Sequence, residues 1–161
     1  MNPLLRQRSR IPDAPPIEGS SDPRPVVLAT LAVPFEAEAA RVAIQAAMEG
    51  SVKLIVVDAV EIPFWPQSLA LRYADLEEDD DRRAIRRLVE QTAALGLEVE
   101  HLRVRSPRPV EAVLEVVGER QAGLLVLGPD PTRLKPRCFR RAVRRVRKRV
   151  GCLLWVAGEG P

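Results

Sequence analysis

Hydrophobic residues fall into five short runs, separated by longer stretches in which they recur every three or four positions. Residues 26–29 (VVLA), 54–57 (LIVV), 124–127 (LLVL) and 153–157 (LLWVA) are near-continuous apolar runs, the pattern of parallel strands covered on both faces. Residues 97–104 are patchier, with Glu98, Glu100, His101 and Arg103 interspersed, and read as an edge strand. Helical spacing fills the gaps. Ala40, Ile44 and Met48, with Ala43 and Ala47, keep one face of a first helix that can start at Pro34. Ile85, Leu88, Thr92 and Leu95 do the same for a second, which Gly96 terminates. Val110, Val113, Leu114 and Val117 mark a third, and Phe139, Val143, Val146 and Val150 a fourth.

The predicted order is therefore β-α-β-α-β-α-β-α-β. Right-handed crossovers place the helices on both faces of such a sheet, giving a doubly wound parallel α/β fold. Five strands are too few for a barrel, and no internal repeat is visible. Residues 1–25 hold six of the fifteen prolines and lack hydrophobic periodicity, so they bury too little apolar area to offset the entropy of ordering them. Residues 1–24 are thus expected to be a flexible arm and residues 25–158 the folded domain.

The 161 residues suit one domain, and 46% hydrophobic content is enough for a core. No apolar run approaches a membrane span, and residues 1–10 have no apolar stretch behind their basic residues, so no secretory signal is expected. Two cysteines cannot form a disulfide framework, and no zinc-ligand spacing occurs. A cytoplasmic, reducing location is expected. Charge changes the picture more. Residues 133–149 carry ten basic side chains and no acid, while the other fifteen basic residues against twenty-two acids leave −7 elsewhere. Six acids, Asp75, Glu77, Glu78, Asp79, Asp80 and Asp81, are packed into seven positions.

Residues 106–128 (SPRPVEAVLEVVGERQAGLLVLG) resemble the turn, helix and fourth strand of the universal stress protein (UspA-like) family. A basic amphipathic helix and then CLLWV (152–156) are similar to the closing elements of that family, and VVLATLAVPFEAEAARVAI (26–44) fits its opening unit. The resemblance covers nearly all of residues 25–157. It implies strand order 3-2-1-4-5, an adenine nucleotide alpha-hydrolase-like architecture, and dimers formed by pairing last strands, which would put Leu153 and Trp155 at the seam.

The family's ligand signature is absent. ATP-binding members carry an aspartate at the end of the first strand and Gly-x2-Gly-x9-Gly-(Ser/Thr) after the fourth. Here Leu31 or a neighbour takes the aspartate position, and Thr30 and Ala32 supply no carboxylate. Gly128 keeps the first glycine, but Pro131, Arg141 and Ala142 follow, with no glycine before Gly151. A phosphate nest needs inward-pointing N–H groups and close main-chain approach. Pro129, Pro131 and Pro136 have no N–H to offer. No cofactor is expected, and ATP in the usual mode is not.

What remains is an anion-accepting remnant formed by Gly128, Arg133, Lys135, Arg137, Arg140 and Arg141. Several of its arginines stand in or near the first turn of the fourth helix, where the dipole opposes cations. The acidic run has an ordinary explanation as the start of the second helix, where negative charge suits the dipole. Both segments nevertheless leave from carboxyl ends of strands and share one rim, so Asp75–Asp81 is a candidate docking segment for the basic loop, within or between subunits. Nucleic acid is expected to bind weakly and without sequence readout if at all, because Phe139, the one aromatic of the basic segment, is assigned to the core and the rest of the chain is negative. A membrane-surface helix is not expected, since Phe139, Val143 and Val146 are needed under the sheet.

No catalytic pattern occurs, and His101, the only histidine, falls on the edge strand. Cys138 and Cys152 lie at opposite ends of the fourth helix, roughly 20 Å apart, too far to bridge. Cys138 reads first as a buried structural thiol and second as a redox-sensing one. Residues 62–73 (IPFWPQSLALRY) read as a lid over the sheet rim or a partner-binding patch. The reading is a dimeric, non-catalytic binding or regulatory module with a degenerate nucleotide site and an unknown protein or small anionic partner. One alternative is ATP or another phosphorylated ligand held by the side chains of Arg133, Lys135 and Arg137. Another is a redox- or polyanion-responsive protein.

Overall fold

A computed structural model describes residues 23–62 and 70–159, with the backbone alone for residues 70–78. In chain order the elements are β1 (Val26–Thr30), α1 (Ala37–Gly50), β2 (Leu54–Glu61), α2 (Ala70–Ala94), β3 (Val99–Ser106), α3 (Pro109–Glu119), β4 (Leu124–Leu127), a 3-10 turn (Pro131–Arg133), α4 (Pro136–Arg149) and β5 (Leu153–Val156). The strands form one sheet in the order β3-β2-β1-β4-β5, all neighbours parallel. The arm expected over residues 1–24 lies outside the described residues as far as residue 22.

Why the aliphatic runs show no alternation is plain from the packing. Val27, Ala29, Ile55, Val57, Leu125 and Leu127 face one core with Val113, Val116 and Val117 of α3 and Val143 and Val146 of α4. Val26, Leu28, Leu54, Val56 and Val126 face the other, with Ala39, Ala43 and Ala47 of α1 and Ile85 of α2. Successive side chains point to opposite faces and both are dry, so every position of the runs 26–29, 54–57 and 124–127 is apolar. β3 has a helix layer but no outer strand, and its residues are half-buried or exposed, as its mixed composition predicts.

Several boundaries differ from expectation. β2 runs four residues beyond the LIVV run, through Asp58 to Glu61, because Asp58 is buried opposite Arg103 of β3 and continues the ladder. α2 begins at Ala70, so Asp79, Asp80 and Asp81 sit inside the helix rather than at its start. No glycine or proline lies between residues 70 and 95 to break it sooner. Met48 and Leu95, expected on buried faces, are exposed; Met48 stands in the last turn of α1 and Leu95 just past the end of α2. Gly96 does end α2, in a left-handed conformation with φ 87°.

Candidate functional site

The carboxyl ends of β1 and β4 meet at the rim where the strand order reverses, the place where open α/β sheets take ligands. On the β1 side, Thr30 is fully buried and its hydroxyl donates to the Val33 carbonyl, while Ala32 takes a left-handed φ of 57°. A carboxylate stands one strand over: Thr30 is in register with Asp58 of β2. Glu36 then caps α1, its side chain accepting from the Ala39 N–H at 3.3 Å.

On the β4 side, Gly128 is a packing position. A Cβ built there would lie 2.5 Å from the Ala39 Cβ and 3.2 Å from Leu28 Cδ1. Its N–H donates to the Ala29 carbonyl and its carbonyl accepts from the Glu36 N–H, both at 2.9 Å. Phe35 and Pro129 form an antiparallel bridge beside it. The next donors are also consumed. The Asp130 N–H goes to the Pro34 carbonyl at 2.9 Å, the Arg133 N–H to the Asp130 carbonyl at 3.1 Å, and the Thr132 N–H to Asp130 Oδ1 at 2.9 Å. The Thr132 hydroxyl donates to the same oxygen at 2.7 Å. These bonds, the hydroxyl first, hold the Asp130 carboxyl below its ordinary range. With Pro129 and Pro131 between them, residues 128–133 have no main-chain N–H left for a ligand.

Asp130 went unremarked in the sequence, although Asp-Pro-Thr is a recognisable turn signal. Asp58 was missed for a different reason: an aspartate closing an aliphatic run reads as a strand end, not as a buried residue. Asp58 is 3% exposed, and its Oδ2 lies 3.6 Å from Nη1 of Arg103, the neighbour in register on β3. A crevice next to them is bordered by Asp81, Arg82 and Ile85 of α2.

Among the described side chains, the basic and acidic segments meet at one point. Arg133 Nη2 lies 3.1 and 3.3 Å from the two carboxylate oxygens of Asp81. Asp79 and Asp80 instead face Arg82 and Arg83 within α2, at 3.9 and 3.6 Å. The side chains of Asp75, Glu77 and Glu78 lie outside the described residues, as do residues 63–69 of the aromatic segment. Lys135 is the N-cap of α4 and makes no side-chain capping bond; Arg137 and Arg140 follow in the opening turns, which hold no acid. Lys135, Arg137, Arg140 and Arg141 are all exposed.

Between the rim and the α3/α4 face is a cleft of about 220 Å³, bordered by Leu31, Glu61, Val110, Leu134, Cys138 and Phe139 among others. Cys138 is exposed, not buried as its first reading supposed; it occupies the third helical position of α4, short of the inward-facing Ala142 and Val143. Burial pushes the Cys152 thiol up. His101 is held below its ordinary value, chiefly by the protein packed around it and also by Arg103 and Arg86, against the pull of Asp58. On β5, Leu153 is 74% exposed while Trp155 is half-buried against the α1 layer. Among the described residues, no cluster of side chains suits a metal ion and no helix is long and apolar enough to cross a membrane.

A model of the Universal stress protein family matches residues 23–156 of this chain. Among solved structures, a universal stress protein in complex with cAMP aligns with a TM-score of 0.61 at 22% identity, covering 86% of this chain and 100% of that one. A universal stress protein family member from Burkholderia pseudomallei gives 0.62 at 17% identity over 88% and 99% of the two chains. The universal stress protein from Archaeoglobus fulgidus in complex with dAMP gives 0.57 at 18%, over 83% and 96%. At these identities the likeness is one of fold. No curated protein sequence matches this one.

Proposed function

The chain belongs to the universal stress protein family, and on that premise we propose that it is a non-catalytic binding and regulatory module whose nucleotide site is degenerate. Relatives of this fold hold cAMP and dAMP. The observation that carries the proposal is the donor inventory after β4: every N–H from Gly128 to Arg133 is either absent, at proline, or committed to a protein acceptor. Asp130 takes a bond that a phosphate oxygen would need, and its own charge repels one. In this reading the protein is cytoplasmic and a homodimer paired through β5, with Leu153 and Trp155 at the seam and no cofactor.

The test is calorimetry with ATP and magnesium at two salt concentrations, with mass spectrometry of the denatured protein for co-purified nucleotide. No nucleotide should co-purify, and no salt-insensitive isotherm should appear. Tight ATP binding with amide chemical shifts moving across residues 128–133 would overturn the proposal.

One observation favours a second reading, in which a phosphorylated ligand is held by side chains. The 220 Å³ cleft includes Leu134 and Cys138, from the same stretch as Lys135 and Arg137. That volume is below the roughly 300–1,000 Å³ of ordinary ligand pockets, enough for part of a ligand whose charged end lies outside among the arginines. Arg133 is then restrained by Asp81. Asp81→Asn should strengthen binding of pyrophosphate by about two- to fivefold, the worth of one released surface pair. Unchanged affinity in fluorescence competition would remove Arg133 from the site.

A further inference from the structure

The outer face of α4 is not explained by the rim. All ten basic residues of segment 133–149 are exposed, but they divide into two sets. Arg133 pairs with Asp81, Arg145 and Arg149 with Glu111 of α3, and Arg147 with Glu159. Lys135, Arg137, Arg140, Arg141, Arg144 and Lys148 have no acidic partner among the described residues. At 3.6 residues per turn, the five of these within α4 fall inside about 100° of arc. That arc is centred opposite Ala142, Val143 and Val146, which are buried against the sheet. The paired arginines flank it on both sides.

The other helices mix acids with their cations, although Arg86 and Arg87 of α2 are likewise exposed with no acidic partner among the described residues. On α1, Arg41 is held by Glu38; on α2, Arg82 and Arg83 face Asp79 and Asp80. α4 contains no acid at all. Arg137–Arg141, Arg140–Arg144 and Arg144–Lys148 are like-charge pairs at i,i+4, each of which weakens the helix slightly. Arg137 and Arg140 also oppose the helix dipole. A row of uncompensated cations is stabilised by a matching row of anions beside it.

We infer that the outer face of α4 is a docking surface for the phosphate backbone of a nucleic-acid duplex, bound without sequence readout. From Arg137 to Lys148 the stripe is about 16 Å long, and at one charge per about 1.7 Å a duplex presents roughly ten phosphates over that length. Single strands are bound on stacking platforms, whereas Phe139 is packed into the α3/α4 core and no other aromatic lies on the helix. An interfacial membrane helix needs an exposed apolar face, and that of α4 is already against the sheet. The negative remainder of the chain orients the stripe toward the polyanion and limits contact to this side.

The experiment is fluorescence anisotropy of a labelled, arbitrary-sequence duplex of about 20 base pairs, two helical turns, with the full-length protein across a salt series. With six cations engaged, affinity should fall about a thousand-fold between about 50 and 200 mM salt, a log–log slope near −5. Arg144→Gln with Lys148→Gln, both distal to the rim, should reduce that slope by about two. Arg82→Gln with Arg83→Gln should leave it unchanged. Circular dichroism checks that the helix persists. Absence of binding at low salt, or an unchanged slope in the stripe variant, would overturn the inference. So would loss of binding on replacing Arg6, Arg8 and Arg10 instead, or a stripe that binds phosphatidylserine vesicles or a second copy of the chain but not the duplex. The rim is intact in the stripe variant, so nucleotide calorimetry on it separates failure here from failure of the proposed function.

Discussion

Replacing Gly128 with alanine should destabilise the protein by about 2–3 kcal/mol, the upper part of the usual range for overpacking a tight core. The added methyl would stand 2.5 Å from the Ala39 Cβ and 3.2 Å from Leu28 Cδ1. Neither can swing away. Ala39 has no side-chain freedom and is fully buried in the first turn of α1, and Leu28 is fully buried in the central strand. α1 must therefore shift, and with it the Glu36 N–H that donates to the Gly128 carbonyl. For a domain of this size the expected fall in Tm is about 5–10 °C, measurable by thermal circular dichroism. Gly128 has an ordinary φ, so the cost is one of space rather than backbone conformation. That predicts a specific rescue: in the Gly128→Ala background, Ala39→Gly should be less damaging than in wild type by about 1 kcal/mol or more. A Gly128→Ala protein within about 0.5 kcal/mol of wild type would show that the rim is looser than its packing implies. It would also reopen close approach to a ligand as the reason for glycine here.

The two cores were legible because aliphatic runs and 3.6-residue spacing report burial directly, and burial on both faces leaves only a doubly wound sheet. Residues 124–127 were located to the residue, since a four-residue aliphatic run between Gly123 and Gly128 has no other place to go. The ends of elements were not. Asp58 hid the second half of β2, because a lone sequence gives no sign that Arg103, forty-five positions on, stands beside it. The acids at 79–81 imitated a helix start, because the same residues that suit a first turn also suit an exposed face with arginines three positions on. Of the candidate site, the absence of any glycine between Gly128 and Gly151 and the shortage of donors in a proline-rich loop could be read from residue types alone. That the Gly128 and Asp130 donors are turned inward onto Ala29 and Pro34 could not, because those acceptors come from a segment about a hundred residues away, while Thr132 and Arg133 donate locally to Asp130. The contact between the acidic and basic segments was predicted from topology; it comes down, among described side chains, to Asp81 and Arg133.

The second large effect should come from Asp58. Its carboxylate is almost wholly buried, and the Arg103 side chain facing it is only 20% exposed. Breaking a buried pair from one side leaves the other charge poorly solvated, at about 3 kcal/mol or more, whereas replacing both partners with apolar residues of similar volume is often neutral. Asp58→Ala should accordingly lower the urea midpoint without changing the slope m. Asp58→Leu combined with Arg103→Met should recover most of the loss. Equal damage in the single and double variants would mean that the carboxylate is held by something other than Arg103. The pair also underlies α2, where Asp81 and Arg82 border the same crevice. Loosening it should release Asp81 from Arg133, so Asp58→Ala should bind pyrophosphate more strongly while being less stable. Asp81→Asn should show the same gain in affinity at nearly unchanged stability, because its partner is half exposed and the pair contributes little to folding. If the affinity gain appears in neither variant, the acidic and basic segments touch without controlling each other. Arg133, the one rim arginine paired with a described acid of that run, would then lie outside the ligand site.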